Sequence, residues 1–397
     1  MLLSGTFGST LLTGSLKAGS LTLMFDNVEA LTYDRAGRLW SRWVGGHTYR
    51  RGLDGRVLEK WQEGGQRRRR WLSEEQAAAL IDESAARMRE LTARLSAGRI
   101  AWTIAPEHDG LAGAIDRAAQ FDAREAERDR IRFADVYSPI GILPPDQYLA
   151  LVLQATSGCS FNTCTFCNFY ADEHFRVKSA SVFRAHARAV RAFLGDSIHM
   201  RRSIFVGEAN ALIVPSDRLM PLLEIAGQEF GGWPIYAFLD AFSGRKKATD
   251  EYRQMASLGL KRVSIGLESG HDPLLRFVRK PGHAADAIDT VAALKAAGLA
   301  VSLIVLVGLG GDRYAERHTA DTVAALNAMP LDKADIIYFS DLVEHPDTPY
   351  PAQARAAGIR PLTAGEMSTQ RQAIRAGLRF ATNGPIVSNY HIREFVY

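Results

Sequence analysis

The sequence predicts an α/β protein built on a parallel sheet, and three observations predict it. From Tyr148 onward, apolar runs alternate with amphipathic helical patterns. There are six such runs: "YLALVLQAT", "RRSIFVGEA", "PIYAFLDAF", "RVSIGLESG", "AVSLIVLVGLG" and "ADIIYFSDLVE". Each is continuously apolar rather than alternating, as in strands buried on both faces. Helical candidates such as "SASVFRAHARAVRAFL", "TDEYRQMASLG" and "AADAIDTVAALKAAG" lie between them. Six β/α repeats argue for a parallel sheet curled into a partial (β/α)6 barrel of the TIM type.

The first ~70 residues carry hairpin signals instead. "LTYDRAGRLWSRWV" and "HTYRRGLDGRVLEKW" each place β-branched or aromatic residues around an Asp/Gly turn. Ser73 and Gln76 then form a capping box. They open an amphipathic helix whose face carries Leu80, Ile81, Ser84, Met88, Leu91 and Leu95. A charged stretch, "AAQFDAREAERDRIRF", reads as one further helix, and the proline-rich "YSPIGILPPDQ" reads as a linker. The expected organisation is a β-hairpin and helical region over residues 1–145, the barrel over 146–345 and a C-terminal extension over 346–397.

Composition narrows the function classes. Of 397 residues, 47% are hydrophobic and 23% charged, ordinary for a water-soluble globular protein. The net charge of +4 does not by itself imply a nucleic-acid partner. "QRRRRW" could stack on and bind phosphate, but four arginines beside a turn read better as a solvated edge, so nucleic acid is not expected as a partner. The longest apolar stretch falls short of the ~20 residues of a membrane span, so no membrane is expected. The first charge after Met1 is Lys17, which lacks the positive start of a signal peptide. The expectation is a cytoplasmic protein with reduced thiols.

All three cysteines, Cys159, Cys164 and Cys167, fall within "CSFNTCTFCNFY", directly after the first strand of the series. Active sites of such barrels sit at the C-terminal ends of the strands. An odd, clustered set is a poor disulfide framework. Buried or redox-sensing cysteines are one reading, and a Cys3His zinc site completed by His174 is another. A third is a four-iron cluster with three cysteine ligands, which leaves one iron for an exogenous ligand.

The cysteine loop resembles that of the radical S-adenosylmethionine (SAM) enzymes, whose usual pattern is Cys-x3-Cys-x2-Cys. The first gap here is four residues, so the path must bulge, and Asn162 suits the turn. The resemblance implies a [4Fe–4S] cluster on Cys159, Cys164 and Cys167, oxygen-sensitive, with SAM as cosubstrate or cofactor. It implies an electron donor such as flavodoxin or ferredoxin and a small-to-medium substrate. It makes Phe166 the aromatic beside the adenine. Gly207 and Glu208 in "FVGEAN" resemble the motif that receives the SAM ammonium. "SIGLESGHDPLLRFVRK" resembles the fourth-strand segment of the oxygen-independent coproporphyrinogen dehydrogenase and methylthiotransferase subgroup. There Glu268 corresponds to a SAM-contacting residue, and Lys280 or its neighbour Arg279 to the carboxylate partner. "LIVLVGLGG" resembles the fifth-strand motif passing the adenine, centred on Val307 and Gly308. The resemblance covers roughly residues 148–345.

Asp240 and Ser243 face the same rim and are candidates for ribose or substrate, with helix capping by Ser243 the alternative. Ser302 is a ribose candidate or a satisfied strand serine. The tail "NYHIREFVY", with Tyr390, His391, Arg393 and Glu394, reads as a lid over the open side of the barrel or as a plain strand. No cysteines remain for a second cluster, and no Asp-x-His-x-x-Gly cobalamin motif precedes the barrel. An RNA-modifying enzyme of this type and a non-enzymatic iron- or haem-handling relative are the alternatives.

Overall fold

The computed structural model describes residues 1–105, 110–171, 173–380 and 383–397, and resolves two compact units. One comprises residues 1–139, 188–202 and 396–397, and the other residues 140–187 and 203–395. The boundary near residue 140 lies inside the proline-rich stretch, and residues 346–395 belong to the second unit.

The first unit is an antiparallel sheet covered by helices. Its strands are β1 (Leu2–Phe7), β2 (Thr10–Leu16), β3 (Ser20–Phe25), β4 (Glu29–Asp34), β5 (Leu39–Val44), β6 (His47–Arg51), β7 (Val57–Glu63), β8 (Gln66–Trp71) and β9 (Ala101–Ile104). The first eight form a meander, and β9 pairs back onto β1. Helices α1 (Glu74–Ser96), α2 (Gly110–Gln120) and α3 (Ala123–Val136) complete it. The capping box at Ser73 and Gln76 is present, and Ile81, Met88 and Leu91 of α1 pack against Leu23, Phe25, Leu31 and Tyr33 of the sheet. The charged stretch expected as one helix is broken. The Asp122 carboxylate accepts from the Glu125 amide at 2.9 Å and starts α3 afresh after α2 has ended at Gln120. An Asx cap competes here with helix continuation.

The second unit is the predicted α/β layer. Its elements are β10 (Ala150–Gln154), β11 (Thr156–Ser157), β12 (Arg176–Val177), the first half of α4 (Ala180–Leu194, whose residues from 188 on count with the first unit), β13 (Ser203–Gly207), α5 (Ser216–Glu229), β14 (Ile235–Phe238), α6 (Ala241–Gly244), α7 (Thr249–Ser257), β15 (Leu260–Glu268), α8 (Asp272–Phe277), α9 (Ala284–Ala296), β16 (Ala300–Val307), α10 (Gly311–Asn327), β17 (Ile336–Asp341), α11 (Tyr350–Ala356), α12 (Ala364–Gly377) and β18 (Ile386–Tyr390). All six apolar runs are strands. They pair in parallel in the order β10-β13-β14-β15-β16-β17, and β18 from the tail adds a seventh strand beside β17. Every residue of β10 and of β13 is buried, as their continuous apolar character requires. No helix among the described residues is long and apolar enough to cross a membrane.

Candidate active site

The C-terminal ends of these strands converge on a cavity of about 230 Å³. The cysteine loop forms one wall. After β11 the chain turns at Gly158 (φ 67°), where a Cβ would press on the Glu173 and His174 carbonyls. Asn162 takes the left-handed conformation (φ 47°), and its side-chain amide donates to the Tyr170 carbonyl at 2.8 Å. The longer first gap is thus accommodated at the residue type that tolerates it. The Thr165 amide donates to the Val278 carbonyl, and the Thr165 carbonyl accepts from the Tyr350 amide, each at 2.9 Å. These two bonds pin the loop from both sides.

Cys159, Cys164 and Cys167 all line the cavity. Burial raises the Cys164 thiol, with Lys280 opposing, and pushes the Cys167 thiol up to about 12. As free groups both are therefore protonated, and a bound cation is what would ionise them. Among the described residues, no three His, Cys, Asp or Glu side chains converge as ligands of a single ion would. Cluster thiolates ligate separate irons and need no common point.

Glu208 follows β13 and is buried. One carboxylate oxygen, Oε1, accepts from the Gln154 side-chain amide, and the Glu208 amide donates to Thr156 Oγ1 at 2.9 Å. The other oxygen, Oε2, is buried without a hydrogen-bond partner. Burial, reinforced by the charge of Glu173, pushes this carboxyl up to about 7, against the pull of Gln154, the Gly158 amide and Lys178. Such an orphaned acceptor is costly and fits a cationic donor.

Across the rim, Glu268 ends β15 in the left-handed region (φ 58°) and lies 3.4 Å from Lys280 Nζ. A Cβ at Gly266 would meet the Glu268 carboxylate, so a larger residue there would push that side chain aside. Burial opposes the Lys280 charge, but Glu268 foremost, then Cys164 and Asp240, outweigh it and raise its pKa. Of the two basic candidates, Lys280 lines the cavity, while Arg279 is exposed with its carbonyl accepting from Thr163. Asp240 caps α6 by accepting from the Ser243 amide at 2.9 Å, so Asp240, not Ser243, is the helix cap. Asn210 joins the Asp240 side chain and amide to Ser160. The Ser243 hydroxyl is buried without a partner.

The cavity wall therefore gathers the three cysteines, Phe166, Asp240, Glu268 and Lys280. It does not gather Gly207, Glu208, Ser243, Ser302, Val307 or Gly308. Glu208 and Ser243 sit just behind it with unspent polar atoms. Ser302 is spent: its hydroxyl bonds Ser264 Oγ at 2.7 Å inside the sheet. Along β16, Ile304 and Leu306 face the cavity, so the strand's alternation turns Val307 to the opposite face. Gly308 is occupied by α12. Its amide donates to Gln370 Oε1 at 2.8 Å, and a Cβ there would meet Met367 Sδ at 2.8 Å. Residues not anticipated from sequence are Asn210, Phe161 and the Ile142–Pro144 segment of the presumed linker. From the tail, Tyr390 and Ile392 reach the wall, whereas His391 accepts from the Arg393 amide at 3.2 Å.

Compared with known families, residues 153–323 match the radical SAM superfamily. No curated protein matches the chain. Among solved structures, the cobalamin-dependent radical SAM enzyme OxsB aligns at 15% identity and TM-score 0.39, over 58% of this chain and 31% of that one. Methylornithine synthase (PylB) aligns at 15% and 0.41, over 67% and 75%. Coproporphyrinogen III oxidase (HemN) from Escherichia coli aligns at 14% and 0.42, over 62% and 55%. The chain thus spans about a third of OxsB and just over half of the coproporphyrinogen oxidase. Enzymes of this superfamily work with a [4Fe–4S] cluster and SAM. The family match starts on β10 and runs through the cysteine loop to α10, so residues 153–323 of this chain are similar to the radical SAM superfamily.

Proposed function

We propose that Cys159, Cys164 and Cys167 hold the [4Fe–4S] cluster through three irons, leaving the fourth open to the amino acid end of SAM. The observation that carries this reading is the buried, unpartnered Glu208 Oε2 beside a loop bearing every thiol of the chain. Glu208 would accept from the SAM ammonium by a charge-assisted hydrogen bond. Lys280, kept ionised by Glu268, would pair with the carboxylate. Phe166 would flank the adenine, with Ile304 and Leu306 as the apolar surface on the β16 side. Asp240, held by Asn210, offers carboxylate oxygens suited to ribose hydroxyls, with Ser243 behind it. When bound, the cluster and SAM supply reductive cleavage of a carbon–sulfur bond and so a reactive radical. Phe161, Phe169, Leu143, Tyr390 and Ile392 exclude water around that chemistry.

The substrate in this reading is a small-to-medium molecule entering the same cavity. The electron donor is a flavodoxin or ferredoxin, and the working compartment is the cytoplasm, where thiols stay reduced. The test is anaerobic incubation of reconstituted protein with SAM and a reductant, with nucleoside products read by mass spectrometry. A SAM-derived nucleoside that requires all three cysteines is the expected outcome. Its absence from protein holding about four irons per chain would reject the assignment.

A further inference from the structure

Behind Glu268, three consecutive residues are each tied to helix α10. The Ser269 hydroxyl meets His318 Nδ1 at 2.7 Å, the Gly270 amide donates to Thr322 Oγ1 at 2.9 Å, and His271 Nδ1 meets Asp321 Oδ2 at 2.7 Å. His318, Asp321 and Thr322 lie three and four residues apart and so share one face of α10. Gly270 makes the approach feasible, since a Cβ there would collide with the Asp321 carbonyl.

At the centre is His318, which is fully buried. Its Nε2 lies 3.1 Å from the Leu306 carbonyl, which can only accept, so Nε2 carries the proton. Nδ1 is then an acceptor for the hydroxyls of Ser269 and, at 3.2 Å, Thr322. Burial pushes the imidazole down to about 4, consistent with this neutral form. One side chain therefore bridges the residue after Glu268 to the backbone of Leu306, and both Glu268 and Leu306 line the cavity. A non-glycine residue with positive φ persists only where its surroundings over-determine it, and Glu268 is such a residue.

We propose that His318 is a positioning residue: the Leu306 carbonyl sets the tautomer of its buried imidazole, whose Nδ1 then holds Ser269 and so fixes the Glu268 carboxylate in the arrangement that receives SAM. This rests on the reading that Glu268 and its partner Lys280 face SAM. The two ring nitrogens can be separated by substitution. Asn at position 318 puts an acceptor where Nδ1 stood, and Gln puts a donor where Nε2 stood.

The experiment uses anaerobically reconstituted full-length protein. It measures iron content, SAM affinity by equilibrium dialysis, and hydrogen exchange of the 266–275 segment without SAM. His318→Gln and Ser269→Ala should keep their iron, lose about five- to tenfold in SAM affinity and exchange faster, as expected for one lost hydrogen bond. His318→Asn should recover most of both properties. Equal losses in the Asn and Gln variants would make His318 a core filler and overturn the proposal, as would unchanged affinity in His318→Gln. Should His318→Gln misfold, Ser269→Ala removes a single oxygen and decides the question. Glu268→Gln separates the two levels. If it binds SAM like the parent, the assignment of Glu268 fails and the clamp's role fails with it. If it binds weakly while Ser269→Ala and His318→Gln do not, only the clamp is overturned.

Discussion

Both compact units bury carboxylates, but they treat them oppositely. In the antiparallel unit, Asp129 is fully buried and saturated. It accepts from Arg38 Nε at 2.7 Å and Arg51 Nη2 at 3.2 Å, and Arg132 lies at 3.5 Å. In the parallel unit, Glu208 is nearly as buried, yet one of its oxygens has no partner and its carboxyl is pushed up to about 7. A saturated buried charge organises a fold, whereas an open one is a cost the fold carries until a ligand answers it. The contrast separates scaffold from site.

The largest effect expected from substitution is at the thiols. Replacing any one of Cys159, Cys164 or Cys167 by Ala should reduce iron from about four per reconstituted chain to near zero and abolish SAM cleavage. Iron and labile-sulfide analysis checks this, and stoichiometric zinc without sulfide in anaerobic protein would refute it.

The comparison itself is broken or sharpened by one identical change in each unit. Asp129→Asn leaves Arg51 buried without its ion-pair partner and Arg38 with Asp34 alone, and should cost about 3–5 kcal/mol in denaturant unfolding of the full chain. Glu208→Gln should not cost stability at neutral or higher pH. A carboxyl whose folded pKa is raised penalises folding as pH climbs through its ordinary value of 4.5 toward 7, fully above 7 and not at all well below 4.5. The melting temperature of the Gln variant should therefore gain on the parent's between pH 5 and pH 8. Equal destabilisation by both variants would erase the distinction drawn here.

The same Glu208→Gln change should weaken SAM binding about tenfold or more, the worth of a charged hydrogen bond at roughly 1.5–3 kcal/mol. The smallest effect is its pH dependence. Below pH 7, ionising Glu208 to receive an ammonium releases a proton, so parent affinity should fall by up to about tenfold per pH unit. Above pH 7 it should level off, and in Glu208→Gln this slope should vanish. Titrations from pH 6 to 8 decide the point.

Much of this was legible in the sequence because the signals were local. Six continuous apolar runs announced six parallel strands, Ser73 and Gln76 announced a helix start, and Asn162 announced the turn that absorbs the long cysteine gap. The reading weakened where a side chain's direction or partner mattered. Val307 and Gly308 sit in the expected motif, but strand parity gives the wall to Ile304 and Leu306 and leaves Gly308 to α12. Ser302 is polar and in the right strand, yet Ser264 on the neighbouring strand takes its hydroxyl. The proline-rich stretch, read as a linker, gave no sign that Ile142–Pro144 line the cavity.

By itself the sequence determined the strand series, the clustering of every thiol after its first member, and hence the resemblance to the radical SAM family. Those features depend on residue type and spacing along the chain, and periodicity encodes them. Only the tertiary structure decided which of two basic neighbours faces the cavity, that Glu208 keeps one oxygen unpaired, and that His318 reaches back some fifty residues to hold the segment after Glu268. These depend on which hydrogen-bond capacity is left once strands from distant parts of the chain have paired, and that remainder is fixed only when the sheet has closed its ladders and the helices have packed against it.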